Sequence, residues 1–266
     1  MRIEGGTRAI VTGASRGIGR ALCEELARRG ARLGLLARGR EGLEELAAEL
    51  PWGAEKHVVL AADVGRRREV ERAVGRFVKR AGGLDLLVAN AGIAHYGPFA
   101  DVEVSKAEEM VRINVLGAVY TVEAGLGPML DAARGHIVVV SSGAGLRAFP
   151  WGAVYGGTKA FDRGFAEALR HELSGTGVSV TTVFPGEVES ALHDHQRDRL
   201  PDWRRDGNTI PAARAAEDII AGVEQDRREV HTPKVVKVLG LNGLAPRLTD
   251  HLIARARGAS AAPRRD

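Results

Sequence analysis

The chain has 266 residues, 44% apolar and 27% charged, a balance that argues against disordered, collagen-like and membrane-spanning classes and suits one globular domain. Lys and Arg number 38 against 34 Asp and Glu, a formal charge of +4, and no dense basic block with interleaved aromatics occurs, so nucleic acid is not an expected partner. The single cysteine, Cys23, excludes an internal disulfide, Met1–Gly6 lacks the apolar core of a signal peptide, and a cytoplasmic location is expected.

In chain order, short β-branched or Leu-rich runs alternate with longer amphipathic segments, the pattern of repeated βαβ units around a parallel sheet. Strands are predicted at Arg8–Thr12, Arg32–Ala37, His57–Ala62, Leu84–Asn90, His136–Ser141, Val178–Phe184 and Glu229–Thr232. Helices are predicted at about 17–29, 41–50, 66–81, 103–133, 153–174 and 212–227. Val70, Ala73, Val74, Phe77 and Val78 form the stripe of a helix packed on a sheet, and Gly30 and Gly82-Gly83 stand where helix C-caps belong. Residues 190–211 read as a polar lid. Residues 234–257 read as an apolar and basic helical extension, either core, subunit contact, cover over a pocket or membrane-surface helix, and 258–266 as a disordered tail. The expectation is α/β, a doubly wound parallel sheet of about seven strands with helices on both faces, in a single domain of residues 1–257.

Thr12-Gly13-Ala14-Ser15-Arg16-Gly17-Ile18-Gly19 falls directly after the first strand and before the first helix. Glycines there let the backbone turn tightly and approach a pyrophosphate, which unpaired N–H groups and the helix dipole stabilise; a purely structural turn is the plainer alternative. Tyr155-Gly156-Gly157-Thr158-Lys159 places Tyr155 and Lys159 one turn apart on one helix face, and Ser142 ends the fifth strand at the carboxyl edge, where open α/β sheets bind ligands. A phenol with a reference pKa of ~10 is a poor acid–base group at neutral pH, but a nearby ammonium favours the phenolate, which gives Lys159 a physical role.

This ordered set resembles the short-chain dehydrogenase/reductase family in its compact form, over roughly residues 6 to 232. The resemblance implies a Rossmann-like NAD(P)-binding catalytic domain in which Ser142 and Tyr155 bond the substrate oxygen, Tyr155 donates the proton in reduction, and Lys159 also holds the nicotinamide ribose. Asn114 matches the family's helix asparagine, which links the lysine to solvent through a water. Ser141 is adjacent, but the family's spacing to tyrosine selects Ser142. Asn90-Ala91-Gly92 resembles the segment beneath the adenosine, with Ala89 where the family has its first Asn. Asp63-Val64 resembles the pair bordering the adenine, with a helix N-cap as the alternative for Asp63. Pro185-Gly186-Glu187-Val188-Glu189-Ser190 resembles the stretch in which Val188 and the final hydroxyl hold the carboxamide.

The second strand ends Leu35-Leu36-Ala37-Arg38-Gly39-Arg40 with no acid for a ribose 2′-OH, and Arg16 lies in the glycine loop, so Arg16 and Arg38 resemble the family's NADP pattern. NADPH is the expected cofactor, NAD the less expected one; Arg40 is a third contact or a solvated side chain. Substrate contacts are expected at His95, Tyr96, Ala144, Phe149, Trp151, Glu187 and His193. His95, His193 and His195 lack the spacing and the clustered carboxylate or thiol partner of a metal site, so no metal is expected. The expected function is NADPH-dependent reduction of a ketone or aldehyde, reversible as alcohol oxidation. Reduction of a 3-oxoacyl thioester or lipid-type ketone, helped by Arg147, Arg197 and Arg199, is one alternative; a non-catalytic NADP-binding sensor is another. Helices 103–133 and 153–174 carry Val111, Val115, Val119 and Val122, then Phe161, Phe165 and Leu169, more apolar surface than one sheet covers, so a homodimer or homotetramer is expected.

Overall fold

The structure, a computed structural model, describes residues 1–189 and 209–243. Seven strands form one sheet in the order β3-β2-β1-β4-β5-β6-β7. They are β1 (Arg8–Thr12), β2 (Arg32–Ala37), β3 (Val58–Ala61), β4 (Leu86–Ala89), β5 (Gly135–Val140), β6 (Val178–Pro185) and β7 (Glu229–Thr232). All six pairings are parallel, so every carboxyl end lies along one edge. Strands covered on both faces are mostly apolar, and the central Ile10, Val11, Leu35, Leu87, Ile137 and Val138 are fully buried.

The helices are α1 (Gly17–Arg28), α2 (Arg40–Glu49), α3 (Gly53–Lys56), α4 (Arg67–Ala81), α5 (Val104–Met110), α6 (Gly117–Asp131), α7 (Gly143–Leu146), α8 (Ala153–Glu172) and α9 (Ala212–Glu224). Val70, Ala73, Val74 and Phe77 of α4 are buried as their spacing predicts. Gly30 and Gly82 follow their helices with φ of +89° and +79°. One core layer joins α1 and α9 to the sheet, the other joins α4, α6 and α8 to the opposite face.

The elements depart from the expected pattern at four places. The expected helix 103–133 is three pieces, because a π-helical turn at Val111–Leu116 separates α5 from α6. Its 104–131 span is long and apolar enough by length and composition to cross a membrane, but Ile113, Asn114, Ala118, Val122 and Met129 are buried within the protein. Of the apolar residues counted as more than one sheet face covers, Val122 and Leu169 sit in the core at 2% and 7% exposure. Two short helices, α3 and α7, add turns that the apolar pattern does not signal. Finally, Lys234–Gly243 is a 3₁₀ helix, whose three-residue turn puts Val236 and Leu239 together against Leu146 and Phe184. At the base of the expected lid, Ile210 bridges to Val188; residues 190–208, the rest of the 234–257 segment and the 258–266 tail lie outside the described residues.

Candidate active site

The carboxyl edge of the sheet opens into a cleft that crosses β2, β1, β4, β5 and β6. Its lining includes Gly13, Ser15, Arg16, Gly17, Ile18, Arg38, Asp63, Val64, Asn90, Ala91, Gly92, Ser142, Tyr155, Lys159, Pro185, Gly186 and Val188. Gly19 and Asn114 support this lining from behind, and Ser190 lies outside the described residues. Ala37, Gly39, Ala62, Ile93, Ile113, Val140 and Ser141 also line the cleft. Most of these end a strand or directly follow one, so taking the last residue of each parallel strand would have found them.

The glycine loop is close-packed where it turns. Gly13 has φ +68°, and a Cβ there would stand 2.9 Å from Asn90 Nδ2. A Cβ on Gly19 would stand far inside contact distance of the Gly13 carbonyl. The cradle therefore exists only with glycine at both positions, which fits a backbone shaped to receive a phosphate group at the start of α1.

Asp63 does not cap α4, whose N-cap residue is Arg66 and which has no side-chain cap. Its Oδ1 accepts from Gly65 N at 2.9 Å and its Oδ2 accepts from Arg112 Nη1 at 3.1 Å. Arg16 and Arg38 are exposed and make no ion pair among the described residues, whereas Arg40 pairs with Glu44 at 3.2 Å and does not line the cleft.

At the other end, Ser141 and Ser142 divide their tasks. Ser141 is buried and donates its proton to the Lys159 carbonyl at 2.6 Å, tying α8 to β5. Ser142 Oγ accepts from Ala144 N at 3.1 Å, so its own proton is left to donate. Asn114, fully buried in the π-turn, accepts from Ile93 N at 2.8 Å. Its Nδ2 donates to Ile93 O at 2.9 Å and Thr158 Oγ1 at 3.0 Å, so both amide hydrogens are committed. Lys159 Nζ donates to Val140 O and to Asp162 Oδ2, each at 2.9 Å. Burial works against its charge, but Asp162 and Tyr155 outweigh that and hold its pKa above the ordinary lysine value.

Tyr155 stands in a small apolar cluster with Ala94, Tyr96, Met110, Ala144 and Phe149. Its ring meets Tyr96 edge-on at 5.6 Å, and Phe149 lies 6.1 Å beyond Tyr96. Ala144, Phe149 and Tyr96 are thus brought to Tyr155, while His95, Trp151 and Glu187 are not part of that cluster or of the cleft lining. His95 Nε2 instead lies 3.4 Å from Glu109 Oε2. His193 and His195 are outside the described residues, among which no three His, Cys, Asp or Glu side chains gather.

Residues 7–201 match the short chain dehydrogenase family, and the chain belongs to it. An uncharacterised oxidoreductase of Listeria monocytogenes is 36% identical over 185 residues, 69% of this chain and 75% of that one. A glycine betaine reductase of Emericella nidulans is 37% identical over 187 residues, 70% of this chain but only 15% of that much longer protein. Among solved structures, a Burkholderia cenocepacia short chain dehydrogenase in complex with NADP superposes with a TM-score of 0.79 at 26% identity, over 95% and 98% of the two chains. A Burkholderia phymatum family member in complex with NAD gives 0.84 at 23% identity over 94% and 97%, a likeness of fold.

Proposed function

We propose that this oxidoreductase is an NADPH-dependent carbonyl reductase that converts a ketone or aldehyde to an alcohol. The observation that carries the reading is one cleft that has, at one end, Arg38 after β2 and Arg16 in the loop after β1, neither in an ion pair among the described residues, and, at the other, Ser142, Tyr155 and Lys159 at β5 and α8. Those ends are three strand spacings apart, ~14 Å at the usual separation, so an extended molecule joins them.

Gly13, Gly17, Gly19 and the loop N–H groups would hold the pyrophosphate, Arg16 and Arg38 a 2′-phosphate, Asn90, Ala91 and Gly92 the adenosine side, and Pro185 to Val188 the carboxamide. NADPH, when bound, supplies the hydride. Ser142 donates its free proton to the substrate oxygen and orients it. Tyr155 gives up its phenolic proton to the developing alkoxide, and Lys159 stabilises the phenolate that remains. The wall of Tyr96, Phe149 and Ala144 favours an apolar carbon frame beside the carbonyl.

The family is commonly oligomeric, and we read a homodimer here from Val111, Leu116 and Phe161, each about 40% exposed on neighbouring helices. A screen of NADPH and NADH oxidation against ketones of graded size tests the function. NADPH-selective turnover rising with apolar substrate size is expected; equal use of both cofactors contradicts the cofactor reading, and tight NADPH binding without turnover on any ketone favours a sensor.

A further inference from the structure

The sheet-facing stripe of α8 is Tyr155, Lys159, Asp162, Ala166 and Leu169, spaced by four, three, four and three residues. Its first two members line the cleft and its last two pack in the core. Between them stands a carboxylate, Asp162, at 1% exposure. An unpaired buried carboxylate is very costly, so its partners define what it does.

Among the described residues the Asp162 side chain has one hydrogen-bond partner. Its Oδ2 accepts from Lys159 Nζ at 2.9 Å, while its Oδ1, also buried, accepts no hydrogen bond. Among the described residues the carboxylate caps no helix and braces no backbone; it acts on Lys159 alone. The ammonium has three N–H groups, of which Val140 O and Asp162 Oδ2 take two. Nζ lies 3.6 Å from where a Cβ on Gly92 would be, at the cleft wall.

We propose that Asp162 is a positioning residue that acts through Lys159: a fixed internal counter-ion that keeps the ammonium charged and clamped to β5, with its third N–H left for the cleft. The consequence for the reaction rests on the function proposed above, because only a charged Lys159 stabilises the Tyr155 phenolate. The titratable groups acting on Lys159 are Asp162 and Tyr155, both from α8. Around them β5 offers the Val140 carbonyl, the residue after it the neutral Ser141, and the π-turn the neutral Asn114. Burial also pushes the Asp162 pKa up, and its pairing with Lys159 offsets that only in part, which agrees with the orphaned Oδ1. With the carboxylate's charge removed, burial is the main influence left on the ammonium, and buried lysines lose their proton far below the usual range.

The test uses the full chain labelled with ¹³C at lysine Cε. It has six lysines, and the Lys159 signal is the one that disappears in Lys159→Arg. In the wild type Lys159 should stay protonated at about pH 10.4, where surface lysines are half titrated. In Asp162→Asn its midpoint should fall below theirs by about two pH units or more, and Asp162→Glu should restore much of the loss. A wild-type Lys159 that titrates with or below the other five overturns the proposal without any variant, so a variant that fails to fold does not shield it. An unchanged midpoint in a folded Asp162→Asn overturns it as well. In turnover, Asp162→Asn should lose activity first at alkaline pH with NADPH affinity little changed; an equal loss at all pH values contradicts the role. Absence of turnover on any carbonyl would defeat the function reading and leave the lysine titration to decide the role of Asp162.

Discussion

Thr12 and Asn90 clasp the ends of β1 and β4 across 78 residues of sequence. Asn90 N donates to Thr12 Oγ1 at 2.9 Å and Asn90 Nδ2 donates to Thr12 O at 2.8 Å, while Thr12 Oγ1 also takes the Ala91 N–H at 3.0 Å. The clasp sets Asn90 directly under Gly13 and leaves no room for a side chain there.

Gly13→Ala should therefore weaken NADPH binding about tenfold or more while the protein stays folded, since φ of +68° and the contact with Asn90 together cost about 1–3 kcal/mol. Fluorescence titration with NADPH, beside circular dichroism, checks this. Unchanged affinity would mean that the loop does not carry the pyrophosphate.

The parallel sheet was legible because buried parallel strands are written as continuous apolar runs, and α4 because its stripe has one period. The π-turn was not. Val111, Val115 and Val119 keep a plain helical spacing through it. What fastens the turn is Asn114 bonding to Ile93, a contact 21 residues away that no local pattern encodes. In the same way, the motif spacing located Tyr155, Lys159 and Ser142, but the task of Ser141 depends on a hydrogen bond to the Lys159 carbonyl on α8, 18 residues away. Asp162 hid inside an amphipathic stripe, where a polar residue reads as a surface position until its neighbours are known.

Arg38→Asp should move the cofactor preference toward NADH. It removes a charge-assisted contact to a 2′-phosphate, worth about 1.5–3 kcal/mol, and supplies a carboxylate for a free 2′-OH. The ratio of kcat/KM for NADPH over NADH should fall about ten- to a hundredfold. An unmoved ratio would show that Arg38 is only solvated.

Stability should fall with acid through His136. Burial pushes its pKa from 6.5 down to about 4, and it shares a 2.8 Å hydrogen bond with Thr181. The unfolded chain takes up the proton below about pH 6.5 while the folded protein resists until about pH 4, so stability is lost as pH falls through that window, by at most about 3 kcal/mol. Thermal denaturation of wild type and His136→Gln between those values checks the sign. The variant should show a shallower decline.

Phe161→Asp should dissociate the proposed homodimer. Phe161 is 38% exposed and stacks on Phe165 at 5.7 Å, and Val111 and Leu116 of the π-turn are exposed as well. Sedimentation at micromolar concentration should give a dimer for wild type and a monomer for the variant. A wild-type monomer would remove the apolar face as an interface.

The most direct measurement is turnover and NADPH affinity of Tyr155→Phe on a ketone that the wild type reduces. The ring keeps its edge contact with Tyr96 in the cluster, and only the hydroxyl is lost. Turnover should drop by about 10²–10⁴ with NADPH affinity within a few-fold of wild type, as removal of a general acid requires. Turnover within tenfold of wild type would contradict the assignment of Tyr155 as the proton donor, and with it the account of the cleft as a carbonyl-reducing site.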